Sequence, residues 1–156
     1  MTKVKTLIGT CVAAGAFVGL GAPTAAAAPP EPFTITERVD FSEGGVDTFT
    51  ATGALCPSGT FDDQVAAGGG HPDTTGKFNL LIRTVYTCDD GSGSFYAQKH
   101  VFVTLNEDGS STNTGPITLH GGTGDYATLS GHGVDSGTAT ADGLGVGNIS
   151  GVLTLR

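Results

Sequence analysis

The chain has 156 residues, with 15 acidic against 7 basic side chains, a net charge of −8 and 26 glycines. Scattered basic residues on an acidic chain argue against nucleic acid as a partner, because phosphate binding draws its affinity from clustered Lys and Arg. The length suffices for one hydrophobic core and argues against two domains.

Lys3 and Lys5 precede an apolar run from Leu7 to Leu20, and Ala25 to Ala28 supply small residues. This order is that of a secretory signal peptide over residues 1–28. The run is broken by Gly9, Gly15 and Gly19 and falls short of the roughly 20 apolar residues that a membrane span needs. Cys11 lies inside the run, behind Ile8, Gly9 and Thr10, where no lipid-attachment box precedes it. The expectation is a single secreted, extracellular domain over residues 29–156 with no membrane span after cleavage. Five basic residues then stand against fifteen acidic ones, a net charge of −10, which reads as solubility outside the cell.

The domain keeps two cysteines, Cys56 and Cys88. An even pair in an exported domain points to a disulfide, and neither residue has the neighbours that would hold a reactive thiolate. On the chain-entropy view such a bridge stabilises the fold by roughly 3–4 kcal/mol.

After the leader, the chain reads as strands. Phe33, Ile35, Val39 and Phe41 alternate with polar residues, although Glu37 interrupts the apolar side. Val46 to Leu55 and Thr60 to Val65 form two further strands around the Cys56-Pro57-Ser58-Gly59 turn. Ala66 to Gly76 is glycine-rich and polar, and is expected to be a mobile loop at one end of the fold. Lys77 to Cys88 and Ser94 to Leu105 form a hairpin across Asp89-Asp90-Gly91-Ser92-Gly93. Ser111 to His120 follows, with Pro116 favouring an edge or a bulge, and then Tyr126 to Thr140 and Val146 to Leu155. Short strands at intervals near ten residues predict an all-β fold, either one closed antiparallel barrel or a β-sandwich. Strands ending at Leu55 and Cys88, separated by one antiparallel strand, finish at the same rim, where the two cysteines meet.

Gly121 to Gly133 reads GGTGDYATLSGHG. It resembles the glycine-rich signature of allene-oxide-cyclase-like and dirigent-like β-barrels, carried here by Gly121, Gly122, Thr123, Gly124, Tyr126 and Ala127. The terminal Gly151 to Leu155 is similar to the closing strand of such barrels. Cys56 to Phe61 and Thr87 to Phe95, with the leader, also resemble a group of secreted actinobacterial proteins of unsettled activity. The resemblance implies a barrel of about eight antiparallel strands whose interior holds an apolar ligand. In plants such barrels shape a cavity around reactive hydrophobic intermediates, and some bacterial relatives act as cyclases. No catalytic residue carries over.

Candidate chemistry is sparse. His71, His100, His120 and His132 lack the short ligand spacing of a metal site, so neither metal nor cofactor is expected. Neighbouring carboxylates such as Asp62 and Asp63 point apart along a strand and do not make a catalytic pair. Tyr96 and His100 share a strand face with Gln98, Phe102 and Thr104, either lining a cavity or facing water; the opposite face, Phe95, Ala97, Val101, Val103 and Leu105, is apolar apart from Lys99. Arg83 poses the same choice in the middle of an apolar strand. Arg83, Tyr96, His100 and Tyr126 are therefore the candidate ligand-binding residues. The leading expectation is a non-catalytic exported barrel that binds a small apolar molecule or an extracellular or envelope partner. The alternatives are a cofactor-independent isomerase or cyclase acting by cavity shape, and a structural or inhibitory secreted protein.

Overall fold

The computed structural model describes residues 29–156; the expected signal peptide lies outside them. Eight strands follow one another: β1 (Glu31–Asp40), β2 (Thr48–Thr52), β3 (Ser58–His71), β4 (Lys77–Cys88), β5 (Gly93–Leu105), β6 (Ser111–Gly124), β7 (Ser130–Ala139) and β8 (Leu144–Thr154). Each pairs antiparallel with the next, and β8 pairs with β1 from Glu31↔Leu153 to Asp40↔Leu144. The sheet is a closed antiparallel barrel, which decides against a sandwich.

The alternation read from the sequence sets the two faces. Phe33, Ile35 and Glu37 of β1, and Phe95, Ala97, Lys99 and Val101 of β5, point inward and are buried. The disulfide joins Cys56 to Cys88 with their Cα atoms 6.0 Å apart. β2 and β4 lie on either side of β3 and run in the same direction, so their ends share a rim.

Several details differ from the sequence expectations. β2 is only Thr48–Thr52. The stretch from Ala66 is not a loop: β3 continues to His71 against β4, one helical turn α1 (Pro72–Thr75) follows, and Gly76 returns the chain. Glycines there do not prevent pairing, because β4 supplies a partner along its whole length. β7 begins at Ser130 and not at Tyr126; residues 125–129 form a turn in which the Leu129 amide donates to the Tyr126 carbonyl. Pro116 sits on no edge, since β6 is paired on both sides, but the β5–β6 ladder skips it between Lys99↔Ile117 and Phe102↔Thr114. Its missing N–H accounts for that gap.

The glycine motif closes the wall. A side chain on Gly122 or Gly124 would collide with the carbonyl oxygens of Ser94 and Ser92, each 2.1 Å from where a Cβ would stand. The end of β6 therefore lies tight against the start of β5, beside a bulge between Ser94 and Tyr96.

Candidate functional site

Inward side chains change character along the barrel axis. At the disulfide end, the rings of Tyr86 and Phe95 stack at 4.6 Å, and Phe49 meets Tyr86 edge-on at 5.2 Å. Tyr126 packs against Phe95 at 5.4 Å and, with Leu129, seals that end. Large rings contributed by neighbouring strands leave little free volume there.

Toward the other end, β4 and β5 carry Leu80, Ile82, Val101 and Val103, whereas β7 and β8 contribute Ala139, Gly145 and Gly147. Large residues on one wall face small ones on the other. A cavity of about 490 Å³ opens there, within the range of small-molecule sites. Phe41 and Val65, both exposed, stand at its rim.

The cavity floor is a belt of charge. Glu37, Asp63, Lys99 and Asp135 come from the four odd-numbered strands, and all line the cavity. Lys99 is 2 % exposed, and Glu37 and Asp135 are each 3 % exposed. The Lys99 ammonium donates to Glu37 Oε1 at 2.5 Å and lies 3.7 Å from Asp63 Oδ1. The Tyr86 hydroxyl donates to the same Glu37 oxygen, and Thr84 Oγ1 donates to Asp63 Oδ1 at 2.5 Å. Lys99 Nζ also sits 5.4 Å from the centre of the Phe61 ring, within cation–π range. Gly147 makes room for this arrangement, because a Cβ there would stand 2.8 Å from Glu37 Oε2.

Asp135 differs from its neighbours. Its Oδ1 is buried and makes no hydrogen bond. Burial raises its pKa to about 6; the Lys99 ammonium opposes the shift, and the Glu37 and Asp63 carboxylates add to it. Burial works against the charged form of Lys99, but Glu37 and Asp63 outweigh it and hold that pKa above its ordinary value. Burial, then the Glu37 charge, pushes the Tyr86 phenol well above its usual range, so it remains a donor. At the floor, then, Lys99 stays a cation, Tyr86 stays a phenol, and Asp135 is held to exchange its proton near pH 6.

The residues singled out from the sequence lie elsewhere. Arg83, Tyr96 and His100 are exposed on the outer wall and do not line the cavity; His100 instead packs on Phe102 with ring centres 4.9 Å apart. The polar-aromatic face of β5 is the wet one, and the face bearing Lys99 turns inward. Tyr126 is inside but belongs to the sealed end. Asp62 and Asp63 point apart as expected, and only Asp63 reaches the cavity. His120 and His132 flank a shallow external groove. Glu37 and Lys99 were visible in the sequence as the single breaks in two apolar faces. Asp135 was not, since the inward face of β7 is mostly glycine and gives no alternation to break.

Among the described residues, no group of three or more His, Cys, Asp or Glu is arranged to hold a metal ion, and no helix is long and apolar enough to cross a membrane. Compared with protein-family models, curated proteins and solved structures, the chain matches none of them.

Proposed function

We propose that this protein is an exported barrel that binds a small, largely apolar molecule in its open end. One observation carries the reading: a cavity of about 490 Å³ with aliphatic walls and a few convergent polar groups at its floor, the composition of sites that orient a ligand by one end. Export is supported by the leader-like residues 1–28 and by the disulfide, a bond that persists in oxidising compartments. Kinship with allene-oxide-cyclase-like and dirigent-like barrels belongs to the same proposal, on the strength of the Gly121 to Ala127 motif.

A second reading, a cofactor-independent isomerase or cyclase acting by cavity shape, is favoured by Asp135, a proton-exchanging carboxyl beside an apolar chamber. Native mass spectrometry of protein recovered from its own secretion medium tests the binding reading. A retained small molecule, released on denaturation, is the expected result. Protein that carries nothing and takes up no apolar fluorescent dye would leave the cavity without a ligand and end the proposal.

A further inference from the structure

The charges lining the cavity are unbalanced. Glu37, Asp47, Asp63 and Asp135 face it with one basic side chain, Lys99, among them. Lys99 is committed to Glu37 at 2.5 Å and, at 3.7 Å, to Asp63, which also accepts from Thr84. Asp135 remains, 3 % exposed, with an oxygen that no protein donor reaches. A buried carboxylate oxygen without a partner is costly, and a cationic donor relieves that cost more than a neutral one.

We propose that the cavity selects an amphipathic cation, an alkyl- or arylalkylamine whose apolar body lies on Leu80, Val101 and Val103 and whose ammonium pairs with the carboxylate of Asp135. This rests on the ligand-binding reading and narrows it to a chemical class. An anionic head group, such as a fatty-acid carboxylate, meets four acids and a cation already occupied. A neutral hydroxyl gains at most an uncharged hydrogen bond.

The inference also predicts a pH dependence. The charged groups facing Asp135 are Lys99 from β5, Glu37 from β1 and Asp63 from β3. Of the strands flanking it, β8 has no titratable side chain, and the one on β6, His120, is exposed outside. Ionisation of Asp135 near pH 6 therefore governs the site, while an aliphatic amine stays charged throughout the range.

The test is calorimetric titration of the disulfide-bonded protein with decylamine, decanol and decanoate at pH 5 and pH 7. Decylamine is expected to bind tightest, gaining about tenfold between the two pH values as the ionised fraction of Asp135 rises. Asp135→Asn should remove that gain, weaken decylamine about tenfold and leave decanol unchanged. If decanol or decanoate binds as well as decylamine at pH 7, or if the pH gain survives in Asp135→Asn, the cation inference falls while the ligand-binding reading stands. If none of the three binds and an apolar dye is also refused, the ligand-binding reading itself falls.

Discussion

The two ends of this barrel are built from the same eight strands and behave as different materials. At the disulfide end, inward positions carry rings that stack on one another, and a turn bearing Tyr126 and Leu129 covers the opening. At the other end, aliphatic side chains face glycine and alanine across a space. Packing stabilises one half, and unfilled volume is left in the other. The belt of Glu37, Asp63, Lys99 and Asp135 marks the boundary. Strand pairing alone sets the architecture; side-chain volume across the bore decides which half is core and which is cavity.

The largest expected effect comes from breaking the boundary. Lys99→Met removes the ammonium that pairs with Glu37 and leaves that carboxylate buried and uncompensated, a change worth about 3–5 kcal/mol of stability. Urea denaturation measures it. Adding Glu37→Gln to Lys99→Met should recover a large part of the loss, because the stranded charge is gone; a double variant no more stable than the single one would show that packing, and not charge, dominates the belt. Next comes the sealed end. Phe95→Ala deletes a ring that contacts Phe49, Tyr86 and Tyr126, and should cost about 3–4 kcal/mol. A loss under about 1 kcal/mol would mean that this half is as loosely packed as the other.

The strand pattern, the hairpin from Lys77 to Leu105 and the Cys56–Cys88 pairing were legible because each depends on local alternation, turn chemistry or direction along neighbouring strands. The inside and outside of β5 were harder to assign. Its polar-aromatic face could line a cavity or face water, and the apolar face turned inward because Phe95, Ala97 and Val101 are buried there while Tyr96 and Phe102 stay exposed. The site was hidden for a related reason. Glu37 and Lys99 lie 62 residues apart, and each alone looks like a flaw in an apolar face; only closure of the barrel brings the two flaws together. The extent of β3 past Val65 was also not legible, since Gly68, Gly69 and Gly70 read as a loop until β4 is seen beside them.

A smaller effect, of opposite sign, belongs to Asp135. Its pKa in the fold, about 6, lies above the ordinary 3.8, so the fold favours the protonated form. The unfolded chain loses that proton first as pH rises, and stability falls between pH 3.8 and pH 6 and stays lower above it. At pH 7 the buried carboxylate costs on the order of 3 kcal/mol. Asp135→Asn, neutral at every pH, should therefore be more stable than the parent by about that amount at pH 7 and nearly equal to it at pH 4. Urea midpoints at the two pH values give the comparison. A gap that fails to widen from pH 4 to pH 7 would show that Asp135 is solvated in the fold. Stabilisation on neutralising a side chain is the mark of a group that does not serve folding.

The smallest effect sharpens the contrast between the halves most directly. Enlarging an inward side chain strains a filled interior by about 1–3 kcal/mol, whereas space beside Val103 is already open. Leu119→Phe, at a fully buried position of the sealed end, should lose stability in that range. Val103→Phe should change it by less than about 1 kcal/mol, since the added ring occupies the cavity without displacing neighbours. The same variant should weaken uptake of an apolar dye, because it fills the volume proposed for a ligand. Equal penalties for the two substitutions would show that the open half closes in solution. A small penalty at Val103 with undiminished dye uptake would move the ligand out of the bore and onto the outer wall.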